Sequence, residues 1–133
     1  MGRKRAAGVA RPPAQVREWH AAARQALKRA LTGQAPGSLP PLDLSSGTEF
    51  QQCVWRVLRG ITPGRTRSYS EVAQAIGRTE AVRAVGGACG ANPIPVLVPC
   101  HRVLAANQGL GGFSGGLKWK RLLLAREGIE LPS

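Results

Sequence analysis

The 133-residue sequence predicts a small, mainly α-helical single domain with short extended segments, built around a helix-turn-helix. Three observations carry that expectation. The length suits one domain with a short arm, since domains usually run about 100–150 residues. Apolar residues recur at helical spacing in stretches punctuated by glycine or proline. A capping box opens one short helix, which a glycine-containing turn joins to another. The apolar fraction of 43% is ordinary for a globular chain, so wholesale disorder is not expected despite the charge.

The elements follow in chain order. Residues 1–12 read as a basic tail. Residues 13–33 read as a helical arm, because Ala14 to Leu31 is rich in Ala, Arg, Leu and Gln. Thr32-Gly33, Pro36-Gly37, Pro40 and Pro41 then make 34–46 a linker. The main domain is expected over 47–133. In it, Phe50, Val54, Val57, Leu58 and Ile61 share one helical face behind Thr48 as N-cap, and Pro63-Gly64 ends that helix. Ser68 with Glu71 forms the capping box of a short helix that turns inward Val72, Ala73 and Ile76 and stops at Gly77. Thr79 is the expected cap of the next helix, which runs to about Cys89, so the helix-turn-helix spans about 69–89. Ile94 to Val98 reads as extended, with its prolines keeping it at an edge. A glycine-rich loop from Asn107 to Gly116 leads to a last helix, Leu117 to Arg126.

The second helix of the pair is nearly bare. Ala84, Gly86, Gly87 and Ala88 leave Arg83 as its one long charged side chain. Two adjacent glycines cost about 1 kcal/mol each against alanine inside a helix. Either the helix packs closely on a neighbour, or it is thin so as to lie deep in a narrow groove.

Nineteen Lys and Arg against seven Asp and Glu give a net charge of +12 and a pI near 11.4. That favours a polyanionic partner, nucleic acid first and anionic membrane second. Residues 1–33 carry eight of the basic side chains against one acid, Glu18. No apolar run approaches the roughly 18 residues of a spanning helix, and no secretory leader pattern opens the chain. An intracellular, cytoplasmic protein is expected, associated with the nucleoid, or nuclear in a eukaryotic source.

Cys53, Cys89 and Cys100 form no CxxC pair, and with His20 and His101 as the only histidines no zinc-ligand spacing arises. Free thiols are expected. Cys100 is the best candidate for reactivity, because His101 and Arg102 follow it and nearby positive charge favours a thiolate. Cys53 and Cys89 read as small buried hydrophobes. Gly112-Phe113-Ser114-Gly115-Gly116 fits a hydrolase GxSxG, but no histidine follows Ser114 to serve it.

Taken together, Thr48-Glu49-Phe50-Gln51-Gln52, Tyr69-Ser70, Arg83-Ala84-Val85-Gly86-Gly87-Ala88, Asn92-Pro93, Pro99-Cys100-His101-Arg102-Val103 and Phe113-Ser114-Gly115-Gly116-Leu117 stand in one order. In that order the chain resembles, from about Gly47 to Gly128, the O6-alkylguanine-DNA alkyltransferases, suicidal DNA repair proteins. The resemblance implies a winged-helix-like catalytic domain, no cofactor, no metal, and a monomer acting on duplex DNA that contains O6-alkylguanine, with O4-alkylthymine a further substrate. It implies that Cys100 accepts the alkyl group, that His101 removes the thiol proton through a water, and that Glu127 orients His101. Asn92 would hold the cysteine segment, and Tyr69 would donate to the leaving guanine at N3. The Ser114 amide would bond O6, beside Phe113, while the carbonyls of Cys100 and Val103 accept from the exocyclic amine. Arg83 would fill the gap left by the flipped base, with Ala84, Gly86, Gly87 and Ala88 against the minor groove.

The chain also departs from the family pattern. The usual N-terminal domain is represented at most by the Ala14–Leu31 helix, and Phe113 and Gly90 stand where some relatives carry Tyr and a basic residue. Two other readings compete: a non-transferring alkyltransferase-like lesion binder, which usually lacks the acceptor cysteine, and a plain helix-turn-helix DNA-binding protein.

Overall fold

Thr48 and Ser68 each set a helix with the same device. In the computed structural model, which describes residues 13–37, 39–105 and 116–131, Thr48 Oγ1 accepts from the Gln51 amide at 3.1 Å while Gln51 Oε1 accepts from the Thr48 amide at 3.0 Å. Ser68 and Glu71 do the same at 3.0 and 2.7 Å. Each box satisfies two amides that a helix start leaves unpaired. The helices that follow are α2 (Glu49–Arg59) and α3 (Tyr69–Ala75), preceded in the chain by α1 (Ala14–Leu31). After α3 come α4 (Val82–Gly90), a 3₁₀ turn at Cys100–Arg102 and α5 (Leu117–Arg126). Two-residue strands, β1 (Arg67–Ser68) and β2 (Val103–Leu104), pair in parallel with Arg67 opposite Val103 and Ser68 opposite Leu104. The domain is thus mainly helical, with α3 and α4 as the helix-turn-helix.

The core lies where α2, α3 and α4 meet the cysteine segment. Val54, Leu58, Val72, Val85, Val98 and Val103 are fully buried there. Trp55 joins them, although the apolar stripe of α2 did not include it, and its indole N–H donates to the Ala88 carbonyl at 2.8 Å. That bond seats the bare helix α4 on α2. Gly47 makes room for the ring: a Cβ there would stand 2.4 Å from it. Phe50 and Val57 are only partly buried at the edge of the cluster.

Two expectations need correction. Thr79 does not cap α4; the chain makes a turn first, with the Ala81 amide on the Arg78 carbonyl at 2.9 Å, and Ala81 is the N-cap with no side-chain bond. Ile94 to Val98 is not extended. The Val98 amide closes on the Ile94 carbonyl at 2.9 Å, and Val96 sits at φ +79°, a left-handed conformation unusual for a β-branched residue.

Helices α1, α3 and α5 end alike. The amide two residues past the C-cap reaches back to the carbonyl three residues inside, as in Gln34 to Arg29 at 2.8 Å, Arg78 to Ala73 at 2.9 Å and Ile129 to Leu124 at 2.9 Å. Gly33, Gly77 and Gly128 supply the positive φ between them. At Gly33 the turn also touches the end of α5. A Cβ there would lie 1.9 Å from the Arg126 carbonyl oxygen, and Arg126 Nη1 donates to the Leu31 carbonyl at 2.8 Å. At Gly77 a Cβ would meet nothing within 4 Å.

This contrast gives a test of the arm's docking. Gly77→Ala should cost about 1–2 kcal/mol, the left-handed penalty alone, in urea unfolding. Gly33→Ala should cost clearly more, because α1 must also move off Arg126. Equal losses would mean that α1 contributes nothing by docking there.

Candidate active site

Cys100 begins the 3₁₀ turn, with its amide on the Val98 carbonyl at 2.8 Å, and is 3% exposed. On the extended backbone expected from sequence, His101 would point away from the sulfur. The tighter 3₁₀ geometry, at three residues per turn, instead fans Cys100, His101 and Arg102 around one axis. All three are buried.

Asn92 fixes the approach to this turn. Its Nδ2 donates to the Val98 carbonyl at 2.8 Å and its Oδ1 accepts from the Ile94 amide at 2.9 Å, so one side chain closes both ends of the Ile94–Val98 turn.

Behind the turn, His101 Nε2 lies 2.9 Å from Glu127 Oε2. Arg102 grips the same carboxylate with two prongs, Nε to Oε1 at 2.9 Å and Nη2 to Oε2 at 2.8 Å. Its Nη1 donates to the Ile61 carbonyl at 2.5 Å. The Glu127 side chain is 1% exposed. Burial alone would raise its carboxyl, but the hydrogen bonds from His101 and Arg102 outweigh that and bring it down to about 2. Burial also holds His101 below its usual value, against the pull of Glu127.

Lys120 occupies the remaining side and is 0% exposed. Its Nζ donates to the Val103 carbonyl at 2.7 Å and stands 5.9 Å from the centroid of the Tyr69 ring. Tyr69 is the first residue of α3, directly after β1, and the Lys120 ammonium lies between its ring and the Val103 carbonyl. Burial raises the Cys100 thiol; Asn92 and Lys120 act to lower it without overcoming that. Cys89, also near Lys120, is pushed up by burial to about 12, which suits an inert core thiol. Cys53 is half-buried on α2.

Cys100, His101, Glu127, Asn92, Tyr69 and Val103 therefore converge. Ser114 and Phe113 lie outside the described residues. On α4, Arg83, Ala84 and Gly87 are exposed and Gly86 is half-buried, whereas Ala88 faces the core. A Cβ at Gly86, Gly87 or Gly90 would meet nothing within 4 Å, so close packing inside the domain does not explain these glycines. Sequence reasoning gave Arg102 the task of favouring a Cys100 thiolate, whereas its guanidinium is spent on Glu127 and burial raises the thiol, and it missed Lys120. The signal for Lys120 was its position three residues after Leu117 and four before Leu124, on the apolar side of α5.

Fold and site define a small helix-turn-helix domain with a buried cysteine centre at its back. Residues 49–129 match the family described as 6-O-methylguanine DNA methyltransferase, DNA binding domain, and the chain belongs to that family. It is 52% identical over 83 residues to the methylated-DNA–protein-cysteine methyltransferase of Haemophilus influenzae, covering 62% of this chain and 46% of the relative. It thus spans about half the length of that relative. Among solved structures it is similar to Mycobacterium tuberculosis OGT in complex with DNA, with a TM-score of 0.74 and 46% identity, covering 80% of this chain and 65% of that one. It is more distantly similar to S. pombe Atl1 bound to damaged DNA containing O6-carboxymethylguanine, with a TM-score of 0.55 and 26% identity over 67% and 82% of the two chains.

The buried carboxylate gives a pH signature. Glu127 binds its proton less readily folded than unfolded, so its stabilisation is complete above its ordinary value of 4.5 and disappears as pH falls towards about 2. His101, depressed below 6.5, acts in the same direction from a higher pH. Urea unfolding across this range should therefore show stability falling with acidification. Glu127→Gln should cost about 3–5 kcal/mol at pH 7, because it strands the Arg102 charge, and should flatten the decline between 4.5 and 2.

Proposed function

We propose that the chain repairs DNA by direct, single-turnover alkyl transfer from O6-alkylguanine to Cys100. The observation that carries this reading is the line of contacts from the buried Cys100 turn through His101 to a carboxylate fixed by Arg102. A protonated thiol beside a neutral imidazole needs a base only at the moment of attack, and His101 with Glu127 behind it can take the proton and bear the charge. Sulfur bonds to the alkyl carbon, the bond from that carbon to O6 breaks, and the thiol proton ends on the departing guanine. The step balances without a cofactor. The thioether is a strong bond that nothing in the chain reverses, so each molecule acts once.

Cys100 is too deeply buried for a base inside a duplex to reach it, which supports flipping of the target base. The open glycines and exposed Arg83 of α4 support a thin helix laid in the minor groove, with Arg83 in the vacated stack. In this reading Tyr69 and the Val103 carbonyl, which also accepts from Lys120, meet the guanine edge. Ser114 and Phe113 complete the base pocket in this reading, O4-alkylthymine is the secondary substrate, and the protein works as a monomer on cytoplasmic, nucleoid DNA.

Incubation with a duplex containing O6-methylguanine, followed by digestion and mass spectrometry, should place one methyl group on the Cys100 peptide. Cys100→Ala should bind the duplex and transfer nothing. Tight lesion binding with Cys100 unmodified would instead make the chain a non-transferring lesion binder, and no lesion preference would make it a plain DNA-binding protein. Arg83→Ala should slow transfer from duplex by about tenfold or more, the cost of an unfilled stack, while leaving reaction with the free modified base unchanged. Equal slowing of both would remove Arg83 from the flipping step.

A further inference from the structure

We propose that Arg102 is a positioning residue that shares the Glu127 carboxylate with His101 and so keeps the imidazole neutral, with its basic nitrogen at Nδ1. This rests on the reading of Cys100 and His101 just given. Both carboxylate oxygens of Glu127 are engaged by Arg102, Oε1 by Nε and Oε2 by Nη2. His101 Nε2 shares Oε2 with it. An ionised carboxylate only accepts, so the hydrogen in the histidine contact sits on Nε2. In the neutral ring the lone pair is then on Nδ1.

A carboxylate alone at 2.9 Å would favour the imidazolium. Here the anion is already matched by a guanidinium, and a proton on His101 would place a second cation on the same oxygen in a buried site. Lys120, from α5, adds further positive charge that acts to lower His101, while burial raises the thiols of Cys100 and Cys89, so that they offer Lys120 no compensating anion. The Arg102 bond to the Ile61 carbonyl stops the guanidinium from turning away. Glu127 also occupies the C-cap of α5, where helix carbonyls make an anion unfavourable. Arg102 therefore holds the carboxylate in place and limits how much of its charge His101 feels.

The test is a ¹⁵N-histidine NMR titration of the resting protein, which needs no alkylation. In the wild type His101 should carry its hydrogen on Nε2 and titrate below 6.5. In Arg102→Gln the midpoint should rise by about one pH unit or more, and Arg102→Lys, which restores the charge, should return it towards the wild-type value. The acidic limb of the Cys100 methylation rate should move with the midpoint, a shift that a merely structural role would not produce. A wild-type midpoint at or above 6.5, or hydrogen on Nδ1, overturns the proposal without any variant, as does an unchanged midpoint in Arg102→Gln. If Cys100 is never methylated, the functional reading fails, while the titration still decides the role of Arg102.

Discussion

A buried carboxylate at the carbonyl end of a helix is an unstable arrangement unless something cationic meets it, and here that is Arg102. The two-pronged bond between Arg102 and Glu127 joins the cysteine turn to the end of α5, and the third arm reaches the turn after α2. Three stretches remote in sequence are thereby tied at one guanidinium. The His101 contact is a by-product of that tie: the imidazole leans on an oxygen whose position Arg102 has already determined. Loosen the clamp and the imidazole meets an anion that no guanidinium offsets.

The rest of the site follows the same logic of saturating each buried polar group with a defined mate. Asn92 spends both ends of its amide on the Ile94–Val98 turn, and Lys120 spends its ammonium on the Val103 carbonyl. Such pairing makes the burial of so many polar side chains tolerable. It also fixes these side chains relative to one another, which suits the proposed transfer, in which the protein holds a nucleophile and a base in register.

Where the signal was local, the sequence was readable. The bounds of α1 and α5, the N-cap at Thr48, the box at Ser68 and the glycine stop at Gly77 depend on residues within one turn of each other. Cys100 stood out by its basic neighbours, whereas the roles expected of His101, Asn92, Tyr69 and Glu127 came from the resemblance and not from anything that spacing alone reveals. What escaped depends on distant partners. Lys120 is buried because a carbonyl on β2 receives it, and Trp55 because a carbonyl on α4 does. Thr79 had the right chemistry for a cap, but the turn at Arg78–Ala81 delayed the helix. The prolines around Ile94–Val98 suggested extension, whereas Asn92 curls the segment back.

The two paired residues of β1 and β2 have an effect out of proportion to their size. They act as a ruler between the α3 start and the cysteine turn: Arg67 is locked opposite Val103 and Ser68 opposite Leu104, so the ladder spaces Tyr69, the next residue, from Val103. A slip of one residue would displace the tyrosine along the ladder by about 3.3 Å, the rise of a strand, further than a hydrogen bond is long. The precision with which the proposed site would grip a base is therefore set by a miniature sheet only two residue pairs long.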